Sequence, residues 1–196
     1  EVEYVGHPLV EVVDRFLSSA EKDRLAGIAA ATQTKNIVAL LPGSRKQEIA
    51  KKLPIMLEVS KHFPGYQFII AQAPGVEDEF YKRYTAAYDN VSFVKNKTYD
   101  LLSKAKAALV TSGTATLETA LFGVPEIVCY KGSPVSYQIA KRVIKVKYIS
   151  LVNLIMNRLT VKELIQEELN DDNLKNELST LLTDEKRIEE IKKDYA

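Results

Sequence analysis

Two glycine-bearing segments carry the residues most able to do chemistry. The first is Thr111-Ser-Gly-Thr-Ala-Thr-Leu-Glu118, which follows the apolar run Ala107 to Val110 and leads at helical spacing to Gly123. A strand that turns into a helix in this way directs backbone N–H groups and the positive end of a helix dipole at one point. That suits a phosphate or a pyrophosphate. Thr114 is a good N-cap type, and Gly113 lets a ligand approach the backbone closely. Ser112, Gly113, Thr114 and Ala115 are therefore candidate phosphate contacts. Glu118, one turn further on, offers a carboxylate to the two hydroxyls of a ribose. The alternative is an ordinary strand–turn–helix unit whose hydroxyls only cap the helix.

The second segment is Leu41-Pro-Gly-Ser-Arg-Lys-Gln-Glu48. Ser44 and Gln47 have capping-box spacing, which predicts a helix beginning at Arg45. Arg45 and Lys46 then oppose the dipole in the first turn, at about 0.3–1 kcal/mol each. A phosphate held by Gly43, Ser44 and the Arg45 fork would compensate them. The alternative is that both side chains reach into solvent and Glu48 offsets them. Neither a Gly-x-x-x-x-Gly-Lys-Ser/Thr loop nor a Gly-x-Gly-x-x-Gly fingerprint occurs, so a P-loop ATPase and a classical dehydrogenase are poor readings.

The elements that must position these turns read as alternating strands and helices. Asn36 to Leu41, Tyr66 to Gln72, Val91 to Val94, Ala107 to Thr111 and Pro125 to Tyr130 are strand-like. Helical spacing covers 44–62 (with Pro54 as a kink), 76–88, 99–104 and 133–144. The pattern predicts an α/β fold: a doubly wound, mostly parallel sheet with helices on both faces. Ligands of such sheets sit at the carboxyl ends of the strands, where both glycine turns fall. Residues 1–152 read as this domain. Residues 2–5 are a short strand, and Gly6 to Leu9 break it as a connector between modules. Residues 147–152 read as a short strand or an extended crossing. From Asn153 the chain reads as short helices whose Leu174, Leu178, Leu181, Leu182, Ile188 and Ile191 lack a core of their own. This tail, 153–196, is expected to pack on the sheet, on another domain or on a second subunit, and a homodimer built around it is the favoured outcome.

Composition narrows the function classes. Over 196 residues the net charge is +1, which argues against nucleic acid as a partner. The single cysteine, Cys129, excludes a disulfide within the chain and points to a reducing compartment. With only His7 and His62 as histidines, no metal cluster is legible and no cofactor is expected. No apolar run is long enough to span a bilayer. The chain opens on Glu1-Val-Glu-Tyr-Val, like the middle of a strand, and reads as a piece of a longer protein.

Tyr4-Val-Gly-His-Pro-Leu9, Leu40-Leu-Pro-Gly-Ser-Arg45 with Glu48, Thr111 to Glu118, Leu151-Val-Asn-Leu154 and Val161-Lys-Glu-Leu-Ile-Gln166 occur in that order. Together they resemble the carboxyl-terminal half of the lipid-A-disaccharide synthase family, glycosyltransferases of the two-domain GT-B architecture. Lys162 stands where that family usually has proline. The resemblance implies a nucleotide-sugar-binding half, with 1–9 as the crossing from a first domain that supplies much of the acceptor site and the catalytic base. It implies UDP-2,3-diacylglucosamine as donor, 2,3-diacylglucosamine 1-phosphate as acceptor, and an inverting displacement without metal. It implies a Gram-negative, cytoplasmic protein, with peripheral contact to the inner membrane through the basic–apolar strip 141–148, for which a solvated helix face is the alternative. Phe93 and Val94, at the end of a short strand, are candidates to border the uracil, with core packing as the alternative. Asn153 and Gln166 become candidates to touch the donor sugar or its phosphates, with turn formation as the alternative. His7 becomes a candidate to face the interdomain cleft and the donor sugar, with a structural turn histidine as the alternative. Two alternatives remain: another GT-B UDP-sugar enzyme, such as the lipid II-forming transferase or a UDP-sugar epimerase, and a non-catalytic nucleotide-sugar-binding module.

Overall fold

The computed structural model describes residues 8–18, 36–111, 113–132 and 147–195. In chain order these form α1 (Pro8–Ser18), β1 (Asn36–Leu41), α2 (Lys46–Glu58) extended by a 3-10 turn (Val59–His62), β2 (Tyr66–Gln72) and α3 (Asp78–Thr85). Then come β3 (Val91–Lys95), α4 (Thr98–Leu102), β4 (Ala107–Val110), α5 (Thr114–Leu121) and β5 (Glu126–Tyr130). The chain ends with α6 (Leu151–Met156), β6 (Lys162–Ile165), a 3-10 turn (Gln166–Glu168), α7 (Asp171–Thr183) and α8 (Glu185–Tyr195).

The strands form one sheet in the order β3-β2-β1-β4-β5-β6, and each neighbouring pair is parallel. The chain steps outward from β1 to β3, then returns to the other side of β1 and steps outward again from β4 to β6. The direction reverses between β1 and β4, so the crevice that such a sheet uses for ligands opens at the carboxyl ends of those two strands.

Period-two burial explains why these apolar runs are strands. Val38, Leu40, Phe68, Ile70 and Leu109 pack on one face with Ile49, Leu53, Met56 and Leu57 of α2 and with Leu174, Leu178 and Leu181 of α7. Ile37, Ala39, Leu41, Ile69, Ala108 and Val110 pack on the other face with Leu101 and Leu102 of α4. Both faces are covered, so the strands are apolar at every position rather than at alternate ones.

Three readings of the sequence are corrected. The carboxyl-terminal region is not helices alone, because Lys162–Ile165 is the sixth strand and pairs with β5 through Ile127↔Lys162 to Tyr130↔Ile165. Its apolar side chains Leu174, Leu178, Leu181 and Ile191 are buried against this chain's own sheet. The unsatisfied strip that argued for a tail-mediated dimer is therefore not available at those positions. Residues 147–150 form bends that lead into α6, rather than a strand. Pro8 and Leu9 begin helix α1 rather than a connector. Proline is favoured at a first helical position, and Val13 and Phe16 then face inward. Val13 is buried, and Phe16 meets the edges of Tyr99 at 5.5 Å and Phe122 at 5.8 Å. The strand 2–5, the helix 133–144 and all of the strip 141–148 but Lys147 and Tyr148 lie outside the described residues.

One core position carries a stability prediction. Glu126 opens β5 and is wholly buried, and among the described residues neither of its carboxylate oxygens has a hydrogen-bond partner. Burial pushes its pKa well above the usual carboxylate range. The folded state therefore holds this proton more tightly than the unfolded chain does. Its contribution is full below the ordinary glutamate pKa and is lost as pH rises from there to the raised value, at about 1.4 kcal/mol per pH unit. Denaturant melts across that window should show the slope in the wild type. In Glu126→Gln the same window should be flatter by that amount. An identical pH dependence in the two proteins would rule this out.

Candidate functional site

Between the ends of β1 and β4 lies a cleft of about 330 Å³. Its floor is two glycine turns. Gly43 follows β1 at φ +120° and Gly113 follows β4 at φ +121°. Backbone at these angles is open to glycine and strained for other residues. A Cβ on Gly43 would also come within 3.1 Å of Glu48 Oε2, whereas one on Gly113 would meet nothing within 4 Å. At Gly113 the requirement is therefore conformational, and the missing side chain leaves the start of α5 open.

α5 begins with Gly113 as N-cap and Thr114 as its first helical residue, so Thr114 is not the cap the sequence suggested. No side chain caps this terminus. Thr114, Ala115 and Glu118 line the cleft, and first-turn N–H groups have no intrahelical acceptor. An anion at this point would supply the acceptors and meet the dipole. The helix closes where Gly123, at φ +67°, turns the chain back.

The start of α2 differs from expectation. Arg45 is its N-cap and no side chain caps it; Ser44 lines the cleft instead. The helix starts one residue later than the capping-box spacing implied, which leaves Ser44 outside capping reach. The Arg45 guanidinium is 82% exposed and sits 3.3 Å from Glu48, while Lys46 pairs with Glu77 at 2.5 Å. Both cations are thus answered by local carboxylates. Such exposed pairs are worth about 0–1 kcal/mol, so an arriving phosphate would displace them readily.

Glu118 projects from α5 into the cleft and accepts a hydrogen bond from the Tyr99 hydroxyl at 3.2 Å. Partial burial raises its pKa, and the Tyr99 bond works against that. Other residues join this wall without a sequence motif. Gln72, Ala73 and Pro74 come from the end of β2, and Thr98 from the start of α4. The strand-end rule alone would have pointed to the Ala73-Pro74 turn. Gln72 donates to Val76 O at 2.7 Å and Asp78 Oδ1 at 2.9 Å, which tethers the β2 exit. Lys52 had no signal beyond its place on α2. It is buried, its Nζ donates to Thr111 Oγ1, and burial lowers its pKa while Glu48 acts to raise it.

The remaining candidates are placed elsewhere. Phe93 stacks on Tyr81 at 5.7 Å, and Val94 packs on the opposite core; neither lines the cleft. Asn153 is fully buried, with its amide bonded to Thr160, Val161 and Glu163. Gln166, at φ +54°, accepts from Gly132 N at 3.2 Å beyond the end of β5. Ser112 and His7 lie outside the described residues. Among the described residues no three His, Cys, Asp or Glu side chains converge as a metal site, and no helix is long and apolar enough to cross a membrane.

Comparison with known proteins converges on one family. The profile of the family described as Lipid-A-disaccharide synthetase matches residues 1–196. A lipid-A-disaccharide synthase of Syntrophus aciditrophicus is 38% identical over 202 aligned residues, covering 100% of this chain and 52% of that protein. One from Geobacter metallireducens is 34% identical, covering 100% and 51%. The chain thus spans about half the length of the curated relatives it matches. Among solved structures, a UDP-GlcNAc 2-epimerase from Neisseria meningitidis bound to UDP-GlcNAc superposes with TM-score 0.61 at 18% identity, over 95% of this chain and 48% of that one. The E. coli ADP-heptose lipopolysaccharide heptosyltransferase II superposes with TM-score 0.57 at 14% identity, over 86% and 53%. At these identities the structures establish the fold alone, that of one half of a GT-B protein. The family profile over the whole length, with relatives above 30% identity, places this chain in the lipid-A-disaccharide synthase family.

Proposed function

We propose that this chain is the UDP-sugar-binding half of an inverting glycosyltransferase that moves 2,3-diacylglucosamine from UDP to 2,3-diacylglucosamine 1-phosphate. The observation that carries the reading is the pairing of two positive-φ glycine turns with Glu118 around one cleft at the switch point of the sheet. In this reading the pyrophosphate lies against Gly113, Thr114 and Ala115, with Gly43, Ser44 and Arg45 closing on it from β1. Glu118 takes the ribose hydroxyls, and Tyr99 holds the carboxylate in place. The base lies toward the Ala73-Pro74 turn and Thr98 rather than Phe93.

The chemical task is to stabilise UDP as it departs with its charge. The uncapped N-terminus of α5 offers preorganised positive potential for that charge, and the Arg45 guanidinium, exposed and held to Glu48, would turn from it to join, so the reading requires no metal ion. The catalytic base and much of the acceptor site are assigned to the portion of the longer relatives that this chain does not match. The acylated substrates place the reaction at the cytoplasmic face of the inner membrane.

Calorimetric titration of UDP and UMP, with and without EDTA, tests this. UDP should bind, more tightly than UMP, and EDTA should change neither affinity. Equal affinities would remove the pyrophosphate cradle, and loss of binding in EDTA would remove metal independence.

A further inference from the structure

Beside the nucleotide cleft lies a second cavity of about 270 Å³, between α2 and the end of β5. Thr111 and Glu48 line both cavities, so one wall separates them. Lys51, Lys52 and Lys131 line the second cavity, against the single carboxylate of Glu48. Glu48 is itself drawn to Arg45 at 3.3 Å. The wall therefore carries an excess of positive charge.

Lys52 makes this more than a basic surface. It is only 4% exposed, and among the described residues no carboxylate lies within ion-pairing distance of it. Its one hydrogen-bond partner is the Thr111 hydroxyl. That hydroxyl accepts from the ammonium, which leaves its own hydrogen to donate onward. Buried ammonium groups are normally paired with a counter-charge, because an isolated one is costly to desolvate. Here, among the described residues, no carboxylate touches the ammonium, Glu48 acts on it only at a distance, and a cavity adjoins the group. A phosphoryl group would fit: it supplies the charge, accepts from Lys52, Lys51 and Lys131, and takes the Thr111 hydrogen.

We infer that this cavity is a phosphoryl subsite next to the nucleotide cleft, with Lys52 as its buried cation. The inference deepens the nucleotide-sugar reading and rests on it for the identity of the neighbouring cleft. The phosphoryl group is either the distal phosphate of the nucleotide diphosphate or a phosphate monoester on the acceptor sugar.

Calorimetry on the full 196-residue chain separates these cases, with UMP, UDP and glucosamine 1-phosphate as probes and Lys52→Met as the variant. UMP affinity should be the same in both proteins. If the distal phosphate is the source, Lys52→Met weakens UDP about tenfold to a hundredfold and spares UMP. If the monoester is the source, UDP is unchanged and glucosamine 1-phosphate binding to the UMP-saturated protein falls by that factor. Unchanged UDP and glucosamine 1-phosphate binding, with UMP binding intact, overturns the subsite and leaves the cleft standing. Failure of the wild type to bind UMP overturns the cleft; glucosamine 1-phosphate binding to the free chain, sensitive to Lys52→Met or not, then decides the subsite. Methionine keeps the length of the lysine stem as far as Cε without the ammonium, so the melting temperature should hold or rise. Should that variant not fold, Lys131→Met reads the same two affinities from the other side of the cavity.

Discussion

Glu118→Ala is expected to weaken UDP binding about a hundredfold without unfolding the protein. The side chain lies in the cleft one turn inside α5, where its carboxylate can accept from both hydroxyls of a ribose. Hydrogen bonds to a charged group are worth about 1.5–3 kcal/mol each, and water recovers part of the loss, which leaves about two orders of magnitude. Stability should barely change, because among the described residues the carboxylate's one hydrogen-bond partner is the Tyr99 hydroxyl and its partial burial is unfavourable. Two further measurements tie the effect to the ribose. The wild type should bind 2′-deoxy-UDP more weakly than UDP, and Glu118→Ala should not distinguish them. UDP affinity should also fall on acidification, since a protonated Glu118 loses acceptor capacity. Burial raises the Glu118 pKa, so that fall begins at higher pH than for an ordinary glutamate. A variant that still prefers UDP over the deoxy form would show that another group reads the ribose.

Asn153→Ala is expected to have the largest effect on stability. The Asn153 side chain ties α6 to the backbone of 160–161 and to the Glu163 carboxylate. Oδ1 accepts from Thr160 N at 2.8 Å and Val161 N at 2.9 Å, and Nδ2 donates to Val161 O and Glu163 Oε1, each at 2.8 Å. Glu163 is buried in β6 and also accepts from Ile149 N and Ser150 N. Alanine would strand two buried N–H groups and strip a buried carboxylate of one donor. Each such loss costs about 1–3 kcal/mol, giving about 3–5 kcal/mol in all. For a chain of this length that is roughly 10 °C in melting temperature. Asn153→Asp, which keeps the acceptors but sets a second carboxylate against Glu163, should also be destabilised, most strongly at neutral and higher pH. A change under about 2 °C together with lost UDP affinity would reassign Asn153 from the core to the ligand.

These two residues show what a sequence conveys and what it does not. Glu118 was legible because its spacing from Gly113 is local: three to five residues of helix decide where the side chain points. The parallel sheet was legible for a similar reason. Runs such as Asn36 to Leu41 are apolar at consecutive positions, a pattern that only a strand covered on both faces requires. β6 was hidden because Lys162–Ile165 is four residues long, two charged residues followed by two apolar ones with no strand period, amid charged helices. Only its pairing with β5 makes it a strand. Its lysine at 162 is compatible with that, since the strand is at the sheet edge and Lys162 reaches Glu177 at 3.2 Å.

By itself, then, the sequence determined the alternation of strands and helices, the two glycine turns and the carboxylate that follows the second, all set by local backbone preferences and periodicity. Tertiary structure decided which turns share a cleft, because that depends on strand order: β1 and β4 are separated by about seventy residues of chain yet lie side by side. It decided that Thr98 and Pro74 line the cleft while Phe93 turns into the core against Tyr81. It also decided that Lys52 is buried beside Thr111, a contact across 59 residues that no spacing rule contains. Local rules reach one or two turns of helix; which distant residues meet is settled by packing apolar faces on both sides of the sheet at once.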